Sequence, residues 1–255
     1  ITLNRPEALN AINEEMRQRI IVFCGQAQAD QNVQVVLFHG AGEKAFTVGG
    51  DLKERAQRNA DQTKTKASPL EARQAKQAPG THSPIDAVAS LQKPSIALLH
   101  GYTVGAGLLI GMACDIRIAA SNPRLGVTEV RRGFMPASGG TQRLARLVGI
   151  AKALEICLSG ELIDAEEAYR IGLVNRLVPV DELTATGEEM AASFAKGAPL
   201  ALRYIKEAIH QGADLPLEHG LRLESDLATM VLTTDDSQEG PKAFVEKRQP
   251  AWNGR

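Results

Sequence analysis

The feature that most constrains this chain is a recurring corner. A short β-branched or apolar run meets a glycine-rich turn, and helical periodicity follows. Residues 46–54 (FTVGGDLKE), 100–107 (HGYTVGAG) and 134–140 (FMPASGG) all have this form. Glycine at a strand-to-helix junction permits backbone angles closed to other residues and lets a ligand come close to the chain. The helix that follows begins with amides that have no intrahelical acceptor. Two such corners side by side can aim two N–H groups at one oxygen. Taken singly, each corner is equally well a tight turn, but three in one chain point to a ligand site.

Around these corners the pattern alternates helix and strand. Pro6 suits a helical first turn, and Leu9, Ile12, Met16, Ile20 and Phe23 recur at helical spacing across residues 8–29. Residues 33–38 read as a buried strand closed by His39-Gly40, and residues 45–51 as a strand end running into a turn at Gly49-Gly50. A polar helix is expected from Lys53, and a solvated helix with a mobile loop across 55–84. Then come a helix at 85–91, strands at 94–99, 116–119 and 124–130, and a helix at 105–114. Residues 141–158 predict one long amphipathic helix capped by Gly160. Asp164 begins a helix that Gly172 ends, and residues 173–178 read as a strand. Helices are expected at 182–196, 199–211, 217–232 and 237–248. No repeat of fixed period is visible. The expectation is an α/β core over residues 1–190 and a helical region over 191–255.

Composition narrows the function. The chain has 255 residues and a net charge of −1, so no overall basic field would draw nucleic acid. The longest apolar run, residues 104–114, is too short to span a bilayer, so no membrane partner is expected. Cys24, Cys114 and Cys157 lie far apart without CxxC spacing and read as reduced core thiols of a cytoplasmic protein. The five histidines show no ligand spacing, so no metal is expected; His100, beside a glycine turn, reads as structural. The chain opens at Ile1 inside a strand-like stretch, so further upstream residues, including a targeting segment, are compatible with it.

Familiar nucleotide and nucleophile motifs fail. Gly105-Ala106-Gly107 begins like a dinucleotide fingerprint, but Ile110 stands in the third glycine's place, and no Gly-Lys-Ser/Thr exists. Ser138 would need glycine at position 136 to form a nucleophile elbow, and Pro136 stands there. What remains is Glu129, a lone acid between a short apolar run and a turn rich in small residues. It reads either as a chemical group or as an ion-pair partner of Arg131 or Arg132. If residues 124–130 are extended, Arg131 shares its face.

The sequence resembles the crotonase superfamily, the enoyl-CoA hydratase/isomerase family. The resemblance spans nearly the whole chain. It is carried in order by ITLNRPEALNAI, AFTVGGDLKE, KPSIALLHGYTVGAGLLIGMACDIRIAA, GVTEVRRGFMPASGGTQRLARLVG, LSGELIDAEEAYRIGLVNRLVP and EGPKAFVEKRQPAW. It implies an α/β spiral of repeated ββα units with a C-terminal helical trimerisation region, assembled as a homotrimer or a dimer of trimers. It implies an acyl-CoA thioester as substrate and no separate cofactor, since CoA is part of the substrate. By motif, the amides of Gly50 and Ala106 would form an oxyanion hole. Ala8, Leu9, Asp51, Leu52 and Lys53 would contact CoA, as would Phe244 and Lys247, often from a neighbouring subunit.

Hydratases of the family use two glutamates. One matches Glu129; the other aligns with Leu109, which can neither donate nor accept a proton. The resemblance therefore favours a one-acid reaction, such as moving a double bond. A hydratase working with Glu129 and an ordered water is the alternative, and an acyl-CoA binding protein with little catalysis is a further one. Glu129 is expected to have a raised pKa if Leu109, Phe134 and Met135 enclose it, because desolvation disfavours the charged form.

Overall fold

A computed structural model gives the structure of residues 1–61 and 83–255. In chain order the strands are Thr2–Leu3 (β1), Val36–Gly40 (β2), Ala45–Thr47 (β3), Ser95–Leu99 (β4), Tyr102–Val104 (β5), Ile116–Ala120 (β6), Arg124–Gly126 (β7) and Arg176–Val178 (β8). They sort into two sheets, ordered β1-β2-β4-β6-β8 and β3-β5-β7, and every pairing is parallel. The helices are Glu14–Ala29 (α1), Leu52–Asp61 (α2), Pro84–Ala89 (α3), Ala106–Ala113 (α4), Gly140–Val148 (α5), Ile150–Ser159 (α6) and Ala165–Arg170 (α7). The chain closes with Leu183–Phe194 (α8), Pro199–Gly212 (α9), Leu217–Leu232 (α10) and Asp235–Val245 (α11).

The spiral comes from strand pairs that turn a corner from one sheet to the other. β2 and β3 lead to α2, β4 and β5 to α4, and β6 and β7 toward α5. The corners need glycine. A Cβ on Gly40 would strike the carbonyls of Ala45 and Phe46, and one on Gly101 (φ +52) that of Lys44. The leading strands begin at residues 36, 95 and 116, so the structural repeat is unevenly spaced and leaves no fixed period in the sequence. This is the crotonase-type fold that the motifs imply.

Every residue of β4 is buried, as expected where helices cover both faces of a parallel sheet. On one face, Leu3, Ile20, Phe38, Leu99, Leu108 and Leu125 form the main core beneath α1, α3 and α4. On the other, Ile96, Leu98 and Ile118 pack against Leu183 and Met190 of α8. Burying each such large aliphatic side chain is worth about 1.5–3 kcal/mol.

Several expected elements differ in the structure. The helix expected over 141–158 is two helices, α5 and α6, because Gly149 adopts φ 80, ψ 160. The strand expected over 124–130 ends at Gly126, and Glu129–Arg132 forms a 3-10 turn instead. The helix expected from residue 8 begins at Glu14 with Asn13 as N-cap; Pro6–Ala8 is a separate 3-10 turn. The strand expected over 173–178 is limited to β8. The polar helix from Lys53 is α2, and most of the expected loop, residues 62–82, lies outside the described residues.

α9 is pinned to the core through Asp115. That carboxylate accepts from Lys206 Nζ (2.8 Å), from the Ser95 amide (2.8 Å) and hydroxyl (2.9 Å), and meets His210 Nε2 at 2.8 Å. Ile209, Leu217, Leu232 and Val245 of the last three helices remain exposed. No helix among the described residues is long and apolar enough to cross a membrane.

Candidate active site

The site begins with a side chain that the sequence reading did not single out. Asn10 is fully buried and accepts from the Arg5 amide at 2.8 Å. Its Nδ2 donates to the carbonyls of Ala41 (2.9 Å) and Ala45 (2.8 Å). These bonds hold residues 5–12 against the β2–β3 corner, at the expense of left-handed φ values at Leu9 and Asn10. The anchored segment then runs beside the first glycine corner. Val48 donates to the Leu9 carbonyl, Ile12 to Gly49 (2.8 Å) and Asp51 to Ile12 (3.0 Å). Ala8, Leu9, Asp51, Leu52 and Lys53 are thereby gathered at one edge.

Asp51 also caps α2. Its Oδ1 accepts from the Lys53 and Glu54 amides, and its Oδ2 meets Arg5 Nη1 at 3.1 Å. The Glu54 amide and then the Arg5 guanidinium hold its carboxyl below the usual range. Leu52 and Lys53 are exposed beside it.

The second corner meets the first. Gly105 (φ 55, ψ −128) caps α4 and donates to the Gly126 carbonyl at 2.8 Å. A Cβ built on Gly49 would lie 2.9 Å from the Ala106 nitrogen and 2.8 Å from the Val104 carbonyl oxygen. Side chains are thus excluded where the corners touch. Among the described residues, neither the Gly50 amide nor the Ala106 amide has an acceptor. Gly50 is exposed and Ala106 half-buried, so both amides remain within reach of a ligand. The third corner differs. Its Gly140 and Thr141 amides are taken by the carbonyls of Ala137 and Pro136, and it serves as a tight turn.

Glu129 reaches this meeting point from the opposite side. β7 is held by mutual Leu125–Ile163 bonds of 2.9 and 2.8 Å, and after Thr128 the chain winds into the 3-10 turn closed by Gly133 (φ 73). The Glu129 Oε1 lies 3.1 Å from where a Cβ on Gly105 would sit, so the missing side chain makes room for the carboxylate. Its Oε2 is buried and has no hydrogen-bond partner among the described residues. Burial pushes the Glu129 pKa up, partly opposed by its own amide and by Arg132. The alternative reading of Glu129 as an ion-pair partner is not met among the described residues. Arg131 Nη2 goes to Glu161 (3.2 Å), and Arg132 Nη1 goes to the Thr128 hydroxyl (2.8 Å). The 3-10 winding removes Arg131 from the face that an extended strand would have shared with Glu129.

Leu109 is buried, and its side chain packs where α4 meets the start of α5; a Cβ on Gly140 would lie 2.7 Å from its Cδ2. Phe134 is half-buried and donates its amide to the Glu129 carbonyl at 3.0 Å. Met135, two residues beyond the left-handed Gly133, is 66% exposed and does not meet the condition of enclosing the carboxylate. Phe244 (85% exposed) and Lys247 sit at the end of α11, and their backbone bonds stay within that segment. His100 is structural, facing the Gly42 carbonyl at 2.9 Å. The three cysteines are free.

Asn10 was missed from sequence, where it had no signal, since its acceptors are distant in the chain.

Comparisons with known proteins bear on the family and the fold. Residues 1–255 match the family described as enoyl-CoA hydratase/isomerase. The chain is 38% identical to the short-chain-enoyl-CoA hydratase of Clostridium acetobutylicum, over 98% of this chain and 91% of that protein. It is 36% identical to the 2,3-dehydroadipyl-CoA hydratase of Escherichia coli, over 100% of this chain and 94% of that one. A crystal structure of enoyl-CoA hydratase from Bacillus anthracis superimposes with a TM-score of 0.88 at 37% identity, covering 100% of this chain and 94% of that chain.

Proposed function

We propose that this chain, which belongs to the enoyl-CoA hydratase/isomerase family, moves the double bond of an enoyl-CoA thioester with a single carboxylate. The supporting observation is the half-buried Glu129 carboxylate, whose buried Oε2 has no partner among the described residues, facing the junction where the Gly50 and Ala106 amides likewise lack acceptors. The thioester oxygen accepts from both amides. Ionised Glu129 takes a proton from C2 of a 3-enoyl-CoA, and the electron pair moves onto the thioester oxygen as a dienolate. The same carboxyl returns the proton at C4, and the electrons settle into the 2,3 double bond. Each oxyanion donor is worth about 3 kcal/mol of barrier in comparable sites. A raised pKa makes Glu129 a stronger base in the first half, and the carboxylic acid so formed is the donor placed to return the proton in the second.

In this reading Ala8, Leu9, Asp51, Leu52 and Lys53 line the CoA side of the cleft. Leu109 and Phe134 form apolar walls, with Met135 at the rim. Phe244 and Lys247 reach the CoA of a neighbouring subunit in a homotrimer or dimer of trimers. The exposed apolar residues of α9, α10 and α11 support that assembly.

Hydration is the second reading, supported by the printed names of relatives at 36% and 38% identity. Assays with 3-enoyl-CoA and 2-enoyl-CoA test the choice. Isomerisation of the first without rapid hydration of the second is expected. Rapid hydration of the second overturns the one-acid reading, and no turnover of either leaves an acyl-CoA binder.

A further inference from the structure

Arg55 lies one helical turn beyond Asp51 on α2, and its amide bonds to the Asp51 carbonyl at 3.0 Å. Its Cζ stands 3.7 Å from the centroid of the Phe134 ring. Phe134 is in turn tied through its amide to the Glu129 carbonyl. The guanidinium thus crosses from the helix that follows Gly50 to the loop that follows Glu129.

Its charge is uncompensated. Neighbouring arginines have carboxylates: Arg5 pairs with Asp51, Arg58 with Glu14 and Arg131 with Glu161. Among the described residues, no carboxylate pairs with Arg55. Arg132, beside Glu129, likewise bonds only to the Thr128 carbonyl and hydroxyl. A guanidinium held over an aromatic face keeps the N–H groups of its edge available, and that edge matches a carboxylate with two parallel bonds. A hydrocarbon acyl tail would gain nothing from it.

We infer that Arg55, presented on the Phe134 ring, reads a carboxylate carried by the acyl group, so that the preferred substrates are enoyl-CoA esters of dicarboxylic acids. This rests on the thioester reading proposed above and names its substrate class. CoA phosphates are the other anion in reach, and matched thioesters separate the two sources because all of them carry CoA.

The test is calorimetric binding of glutaryl-, adipyl- and suberyl-CoA against valeryl-, hexanoyl- and octanoyl-CoA. These saturated esters do not turn over, so binding is read apart from catalysis. The wild type is expected to favour at least one dicarboxylic ester over its matched partner by on the order of ten- to hundredfold, the scale of a charge-assisted hydrogen bond. Arg55→Gln should abolish that preference and leave the monocarboxylic esters unchanged; Phe134→Leu should narrow it. The inference is overturned if the wild type shows no preference, or if Arg55→Gln weakens both classes alike, which would mark a phosphate contact. Turnover of the matching 3-enoyl esters keeps the two readings apart. A binding preference without isomerisation sinks the one-acid reaction and leaves Arg55 standing. Equal turnover with equal binding sinks the role of Arg55 alone.

Discussion

Leu108, Ile110 and Leu125 in the spiral core have no exposed surface, whereas Leu217, Leu232 and Val245 in the C-terminal helices are 78%, 73% and 78% exposed. Both regions are rich in aliphatic residues at regular spacing, and sequence patterning alone would treat them alike. The core uses its apolar residues to hold three chain segments in fixed relation: the 49–51 corner, the start of α4 and the turn bearing Glu129. The C-terminal helices bury Leu227 and Ala243 but leave many of their large apolar side chains uncovered by the described residues. In the assembly proposed above, these are the side chains a neighbouring subunit would cover. Hydrogen bonding follows the same division. The site's anchors are internal, through Asn10 and the 8–12 segment, whereas the tail folds on itself through Asp236, which accepts from the Asn253 and Gly254 amides.

Substitutions in the two regions should therefore fail in different ways. The largest effect is expected from Glu129→Gln, which keeps shape but removes the proton carrier. Turnover of 3-enoyl-CoA should fall about a thousandfold, within the usual range for a positioned acid–base group, while acyl-CoA binding persists. Near-normal steady-state rates would remove Glu129 from the mechanism. Gly49→Ala comes next. Its φ is +85, and the new Cβ would press on the Ala106 nitrogen and the Val104 carbonyl. Displacing one oxyanion donor should lower kcat roughly a hundredfold, with melting behaviour separating this local effect from unfolding.

Stability measurements sharpen the contrast. Leu108→Ala opens a cavity in the core and should cost about 2–5 kcal/mol in denaturant titration. Leu217→Ser should leave the unfolding of the isolated chain within about 0.5 kcal/mol, as exposed substitutions do, yet shift the sedimenting species toward monomer. Equal thermal penalties at both positions would erase the distinction between the regions.

The smallest expected effect is a pH-dependent one. Burial raises the folded-state pKa of Glu129 above its unfolded value. The folded chain therefore binds that proton more tightly and loses stability as pH rises from the ordinary carboxylate range through the raised value. Glu129→Gln should melt like the wild type below this window and slightly higher at neutral pH. A lower Tm at neutral pH would mean that the ionised carboxylate is held favourably after all.

Strands, corners and the lone acid were legible in the sequence because each has a local cause: β-branched runs for buried strands, glycine where two backbones touch, a carboxylate without a sequence partner. The parts that were not legible depend on contacts distant in sequence. Gly149 sits inside an amphipathic pattern that reads as continuous, and its left-handed φ breaks residues 141–158 in two. The strand at Arg124 stops at Gly126, where Glu161 and Leu162 leave no room for a side chain; a Cβ there would lie 2.8 Å from the Glu161 carbonyl oxygen. That stop lets Glu129 wind inward and sends Arg131 to Glu161. Asn10 could not be recognised as an anchor, since its acceptors lie about thirty residues away. The approach of Arg55 to Phe134 joins two of the three corner-bearing motifs and has no local signature.

A crystal structure with a saturated acyl-CoA tests the central claim most directly. The account predicts the thioester oxygen within hydrogen-bond reach of both the Gly50 and Ala106 nitrogens, with C2 and C4 facing the Glu129 carboxylate. A thioester oxygen bonded to neither amide, or Glu129 turned to bulk water beside a bound acyl chain, would contradict it.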